Sequence, residues 1–296
     1  MVIGPPFSIL PKGCLWGALG LLLAFSTVSP LTAKTLAQIK LEEIQEKQNR
    51  LMQAYREEIN PSDKESLEFR LIAIHTEYAA LLAKNPENPA VIAAYGLYLA
   101  QIDKGDDALR MLLKADSLDP TIPQVKNQLG NYMIEQANFQ LALPYYLEAI
   151  RFAPREPLYH YQLANLLYYF REEFVQYEIL SKETVEDQMF RAFKSAAELA
   201  PDNMAYQYRY AEAFYDHPFA DLKEALSVWD GLFHRVQDER DKQIILLQQA
   251  NCHLKLGHPE EASLLLDRVN DPYLDTNKVK LLKEIEERGF SPSQGG

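Results

Sequence analysis

One short phrase recurs along this chain, and its spacing constrains the fold more than any other feature. The phrase is an apolar stretch followed by a proline, and it ends at Pro86, Pro120 and Pro154, which lie 34 residues apart. A fourth copy ends at Pro201, one period plus 13 residues further on. A proline fits just beyond a helix because it cannot continue the helix. A fixed period of this length predicts a repeat architecture in which similar units stack on their neighbours.

Each repeat unit has the pattern of two amphipathic helices. In the unit from Pro123 to Pro154, Gly130 lies in the first helix, while Ala142 and Tyr146 share one face of the second. Small side chains at such positions let two helices approach closely, and the aromatic ring fills the space beside them. The unit is therefore expected to form a packed helix pair.

These positions resemble the tetratricopeptide repeat. The unit from residue 89 has the family's aromatic, small and proline positions at Tyr95, Gly96, Ala108, Leu112, Ala115 and Pro120. Later units have matching positions at Leu163, Ala164, Met189, Phe193 and Ala196, then Tyr210, Ala211, Ala225 and Trp229, then Ala250, Gly257, Ala262 and Leu266. The resemblance implies an all-α fold, a right-handed α-solenoid of tetratricopeptide helix pairs with helical flanks, whose array covers residues 86–272.

The third unit carries an insertion near residues 171–183. The inserted block is not polar throughout, since it keeps Phe174, Val175 and Tyr177 among its charged residues. We therefore expect it to be helical and packed. It either lengthens the helix pair or forms a protrusion that contacts a partner.

The first 33 residues have the pattern of a targeting segment. Lys12 is the only charged residue before Lys34, and an apolar run from Cys14 to Phe25 follows it. A basic region, a short apolar region and small residues are typical of a secretory signal peptide. The run is shorter than the roughly 20 residues that cross a bilayer. We expect cleavage near Ala33 and a periplasmic or secreted bacterial protein; the alternative is an uncleaved segment that anchors the protein to the inner membrane.

Helical flanks are predicted on both sides of the array. Residues 34–85 form an N-terminal flank or partial repeat, and residues 34–59 carry a heptad-like apolar stripe at Leu41, Ile44, Leu51 and Tyr55. This stripe either packs on the next helix as a cap or forms a homodimer. Residues 273–296 are expected to form a capping helix with a polar outer face and a disordered tail.

Composition and motifs argue against catalysis and nucleic-acid binding. The chain has 30 Lys and Arg against 42 Asp and Glu, a net charge of −12 that would be repelled by phosphate backbones. The sequence has no glycine-rich phosphate loop, no HExxH helix and no GxSxG turn. We therefore expect no enzyme activity, no metal site, no cofactor, no small-molecule substrate and no nucleic-acid partner.

The resemblance also implies a concave groove lined by the first helix of each unit. At the ninth position of the units, three of five residues are asparagine, whose amide can hydrogen-bond the backbone of an extended peptide. Tyrosines nearby combine apolar area with a polar tip, which suits a binding surface, although some must belong to the core. The predicted partner-binding residues are Asn127, Asn131, Tyr161, Asn165, Tyr168, Tyr208, Glu212, Tyr215 and Asn251.

These features predict a non-enzymatic adaptor or scaffold of the bacterial envelope that binds a protein or an extended peptide in its groove. The alternative is a structural assembly subunit that self-associates through residues 34–59 or is tethered to the membrane by its N-terminus.

Overall fold

The structure is a computed structural model that describes residues 34–56, 64–217 and 220–288. The predicted signal peptide, the end of the predicted 34–59 helix and the predicted tail beyond residue 288 lie outside these ranges. The described residues form α-helices and a short 3-10 turn, with no strand among them. They divide into two compact units, residues 34–154 and residues 155–288.

The first unit consists of three helix pairs. Its helices are α1 (Leu36–Arg56), α2 (Lys64–Lys84), α3 (Pro89–Gln101), α4 (Gly105–Leu118), α5 (Pro123–Glu135) and α6 (Phe139–Phe152). Helices α3 and α5 have equal lengths and begin 34 residues apart, and the same is true of α4 and α6. The period of the sequence is thus also the period of the structure.

The apolar stripe of α1 is buried inside the first unit. Leu41, Ile44 and Leu51 are all within the core. Between them, Gln48 accepts a hydrogen bond from the Tyr78 hydroxyl at 2.6 Å and donates to the Gln101 side chain at 2.6 Å. The stripe therefore packs on α2 and α3 of the same chain. A homodimer through this helix stays a prediction, and it would have to use the exposed face of α1.

The second unit contains the remaining helices. They are α7 (Pro157–Tyr169), α8 (Arg171–Gln176), α9 (Lys182–Leu199), α10 (Met204–Ala213), α11 (Leu222–Arg235), α12 (Glu239–Leu256), α13 (Pro259–Leu266) and, after a 3-10 turn, α14 (Asp275–Glu287). Helix α7 packs on α9, α10 on α11, and α12 on α13, while α14 lies against both α12 and α13. None of the described helices combines the length and hydrophobicity that a membrane crossing requires.

The inserted block lengthens the helix pair of its repeat. In the preceding pairs, the turn between the helices contains one residue with positive φ, Asp103 or Ala137, and a hydrogen bond from residue i+5 to residue i closes it. The same turn recurs at Glu178, where Ile179 N donates to Phe174 O at 3.0 Å. Glu178 follows Ala137 by 41 residues, seven more than one period. Helices α7 and α8 together therefore occupy the place of one longer first helix, anchored by the fully buried Phe174.

Candidate functional site

The two predicted groove asparagines of the first unit are buried. Asn131 is 3% exposed, accepts a hydrogen bond from the Tyr146 hydroxyl at 2.8 Å and donates to Gln128 at 3.3 Å. Asn127 is 1% exposed, and its Oδ1 has no hydrogen-bond partner among the described residues. Asn131 therefore connects α5 to α6. Recognition of a partner by these two amides stays a prediction, and it would require the buried side chains to become accessible.

Helix α10 contributes two predicted site residues that also lie in the core. Tyr208 is fully buried, and its ring meets the Trp229 ring edge-on at 5.0 Å. Glu212 is buried beside Arg209, whose Nη1 donates to Glu212 Oε2 at 2.7 Å. Burial raises the pKa of the Glu212 carboxyl to about 7, although the neighbouring guanidinium acts in the opposite direction. One nitrogen of Arg209 and one oxygen of Glu212 have no hydrogen-bond partner among the described residues.

Two of the predicted residues of α7, Tyr161 and Tyr168, interact with the Arg209 guanidinium. The half-buried Tyr168 lies with its ring 4.2 Å from the Arg209 guanidinium carbon. Tyr161 packs its ring 4.6 Å from the Tyr206 ring, and Asn165 is buried. The aromatic rings therefore cover a buried charge, which gives them a packing role that the sequence pattern did not distinguish from recognition.

Tyr215 and Asn251, the last two predicted site residues, line a pocket in the second unit. The pocket has a volume of about 220 Å³. Its walls come from the turn that follows α10, from one face of α12 and from α14. The lining residues are Tyr215, Asp216, Leu247, Gln248, Asn251, Lys255, Asn277, Lys280, Leu281 and Glu284.

Hydrogen bonds to main-chain carbonyls fix the walls of this pocket. The Tyr215 hydroxyl donates to Gln248 O at 2.8 Å and thereby holds the end of α10 against α12. Arg288 donates to Leu254 O at 2.5 Å, and Lys278 donates to Val269 O at 2.7 Å. The buried Ile285 adds an apolar contact. These contacts place α14 beside α12, so the C-terminal helix forms a wall of the pocket as well as an end of the array.

The charges that line the pocket are not all available to a ligand. Asp216 accepts a hydrogen bond from Arg171 at 3.2 Å, and Glu284 accepts one from Arg288 at 2.7 Å. Neither arginine lines the pocket. Both carboxylates are therefore neutralised from outside, while the lining also contains the exposed Lys255 and Lys280. The pocket offers amide groups, a phenol ring and positive charge, which suit hydrogen bonding to a polar or anionic ligand.

Sequence reasoning missed Gln248, Lys255, Asn277 and Lys280. A signal for them was present, because polar residues at 248, 251 and 255 follow helical spacing, and so do those at 277, 280 and 284. The C-terminal helix was predicted only as a cap, so its polar face was not considered as part of a site.

The described residues offer little for covalent or metal chemistry. They contain no group of three or more His, Cys, Asp or Glu side chains placed to hold a metal ion. Cys252 is buried, with its sulfur 3.2 Å from the Tyr215 hydroxyl, and burial raises the pKa of the thiol to about 11. Such a thiol is protonated at neutral pH and is a poor nucleophile.

Comparisons with known proteins identify the fold. No family model and no curated protein matches the sequence. The structure is similar to that of YrrB, described as a TPR protein with an unusual peptide-binding site, with a TM-score of 0.53, 14% identity, and 72% of this chain and 98% of that chain covered. The chain has the tetratricopeptide-repeat fold. It is also similar to PilF of Pseudomonas aeruginosa, with a TM-score of 0.52, 16% identity, and 86% and 98% covered. A third similar structure is PilW, a type IV pilus biogenesis factor, with a TM-score of 0.50, 13% identity, and 87% and 100% covered.

The tetratricopeptide-repeat fold gives each helix its position in a repeat. Helices α3, α5, α10 and α12 are first helices of their pairs, and α7 with α8 is the longer first helix of another. The pocket therefore lies on the first helix of the last pair, beside the helix that ends the array. Asn251, which the sequence pattern assigns to the ninth position of its repeat, is the predicted asparagine that lines a pocket.

Proposed function

We propose that this protein is a non-enzymatic tetratricopeptide adaptor that binds an extended segment of a partner protein, and that the pocket between α12 and α14 is its principal contact. The observation that carries the proposal is the lining of that pocket. Amides on two different helices line this pocket together with a tyrosine ring and charged groups. The similar protein YrrB is described as having an unusual peptide-binding site.

The chemistry of the lining favours a peptide over other ligands. Side-chain amides can donate to a main-chain carbonyl and accept from a main-chain N–H, so they can hold an extended backbone whatever its sequence. A volume of about 220 Å³ lies below the roughly 300–1,000 Å³ of pockets that enclose drug-sized ligands. The pocket is thus sized for one or two side chains of a longer segment that continues along the surface.

Selection of peptides from a random library tests this proposal. A phage-displayed library of 12-residue peptides would be selected on the immobilised protein, and enriched peptides would be measured by fluorescence anisotropy. We expect enriched peptides to bind saturably. Asn251→Ala should weaken their binding by about tenfold, which corresponds to roughly 1.4 kcal/mol. Asn138→Ala is the matched control, because Asn138 is an exposed asparagine that does not line the pocket. Failure to enrich any peptide, or equal effects of the two substitutions, would contradict the proposal.

We further propose that the adaptor works in the bacterial envelope, on the strength of the signal-peptide pattern in residues 1–33. Mass spectrometry of the protein recovered from a periplasmic fraction would test this location. A mature N-terminus near Lys34 is the expected result, whereas an intact N-terminus in the membrane fraction would support the tethered alternative.

A further inference from the structure

We propose that the pocket between α12 and α14 binds the carboxylate of an Asp or Glu side chain within the partner segment. This inference rests on the proposed function, since it names the kind of residue that the bound segment presents to the pocket. It also gives α14 a role in recognition rather than only in capping the array.

The balance of charge in the pocket is the first argument. Of its four charged residues, the two acidic ones are each paired with an arginine outside the lining, Asp216 with Arg171 and Glu284 with Arg288. Lys255 is exposed, lies with its Nζ 6.0 Å from the centre of the Tyr215 ring and makes no ion pair within the described part of the chain. Lys280 also lines the pocket, and it already interacts with another group of the chain. An anionic group would give Lys255 an ion-pair partner.

Hydrogen-bond donors give the second argument. Asn251 on α12 and Asn277 on α14 both line the pocket, so a carboxylate in it has amide donors on two walls. Gln248 also lines the pocket, but its side chain is buried beside the Tyr208 phenol and is not counted among these donors. The lining thus combines positive charge with two neutral amide donors, which is a suitable environment for a carboxylate.

The amides also favour an acidic side chain over a chain end as the source of the carboxylate. Each amide has an acceptor oxygen in addition to its donors, and a peptide backbone supplies N–H groups on both sides of an internal residue. A segment that passes through the pocket would use these acceptors on both walls, whereas a chain end has backbone on one side only.

Three small probes test the inference without any knowledge of the natural partner. N-acetyl-glutamate N-methylamide represents an internal acidic residue, N-acetyl-glutamine N-methylamide is its neutral isostere, and N-acetylglycine represents a terminal carboxylate. Each would be titrated into the ¹⁵N-labelled protein while the side-chain amide resonances of Asn251 and Asn277 are followed. We expect saturable shifts with the glutamate probe, and shifts that do not saturate with its glutamine isostere.

Lysine variants test which positive charge in the pocket binds the glutamate probe. Lys255→Met combined with Lys280→Met is expected to weaken binding of the glutamate probe by about fivefold, since exposed ion pairs contribute modestly to binding. Lys255→Met alone should give part of this loss. Lys223→Met is the matched control, because Lys223 is an exposed helical lysine of the same unit that does not line the pocket.

Three results would overturn the inference: equal binding of the neutral isostere, unchanged binding in the double variant, or tighter binding of N-acetylglycine than of the glutamate probe. None of these results depends on whether library peptides bind. If peptides bind through Asn251 while the glutamate probe does not bind, the carboxylate assignment is wrong and the proposed function stands. If the probe binds and no peptide is enriched, the proposed function fails instead.

Discussion

At the scale of single residues, the buried pair of Arg209 and Glu212 makes a prediction about pH. The pKa of Glu212 is about 7 in the folded protein, above its ordinary value of 4.5, so the folded state holds the proton more tightly. Glu212 therefore contributes stability that is fully present below pH 4.5 and is lost as the pH rises through 7. Glu212→Gln removes this titration. The free energy of unfolding of the variant relative to wild type should thus rise between pH 5 and pH 8, by on the order of 1–3 kcal/mol.

Urea unfolding at several pH values would measure this difference. Glu260→Gln makes the same change of charge at an exposed position and serves as the control. A difference between Glu212→Gln and wild type that is independent of pH would contradict the assigned pKa. The variant also keeps an acceptor for Arg209, so the guanidinium is not left without a partner.

The residue scale is also where the sequence predicted least. The ninth position of each repeat marks a helix face, and asparagine recurs at this position. Whether such an amide is open to a ligand depends on the side chain above it. Asn131 lies under Tyr146, whose hydroxyl it binds, whereas Asn251 borders a pocket. Periodicity gives the face of a helix but not the neighbour that covers it, so the two asparagines could not be distinguished from sequence alone.

At the scale of helices, prolines and small residues predicted much of the fold. Helices α2, α4, α6 and α9 each end two residues before the recurring proline, at positions 84, 118, 152 and 199.

The seven residues added to the first helix of the third repeat were harder to place from the sequence. Seven residues are close to two helical turns, so the added block keeps the apolar face of the helix in register. The sequence pattern therefore continues smoothly through the insertion and does not mark where α7 ends.

The close approach of paired helices makes a prediction at this scale. A Cβ atom at Gly130 would lie 2.7 Å from Cε1 of Tyr146, a fully buried ring whose hydroxyl binds Asn131. That ring cannot move without losing its contacts. Gly130→Ala should therefore lower the free energy of unfolding by about 1–3 kcal/mol, the usual cost of overpacking a core.

Gly231→Ala is the matched control for the same chemical change. Gly231 lies inside α11, and a Cβ atom there would meet nothing within 4 Å. Alanine is a better helix former than glycine by about 1 kcal/mol, so this substitution should raise stability. Denaturant unfolding monitored by circular dichroism would compare the two variants. A change of the same sign in both would show that helix propensity, rather than the contact with Tyr146, decides the outcome.

At the scale of the whole molecule, an acidic protein carries a pocket in which Lys255 has no ion-pair partner among the described residues. The net charge of −12 opposes an acidic partner at a distance, but it is screened beyond about 8 Å at physiological ionic strength. Recognition of the partner would therefore take place inside the pocket. In a repeat protein each pair contacts mainly its neighbours, so a site formed by the last pair and the helix after it depends on that end of the array.

The central claim is that α14 and α12 together hold a partner protein, and site-specific photo-crosslinking tests it most directly. Benzoylphenylalanine would be placed at position 281, where an apolar residue lines the pocket, or at position 279, which is exposed on the same helix outside the pocket. In cells that naturally make the protein, we predict a discrete cross-linked partner from position 281. This partner should be absent from position 279 and lost when Asn251→Ala is added. Equal cross-linking from the two positions, or a partner unaffected by Asn251→Ala, would contradict the account.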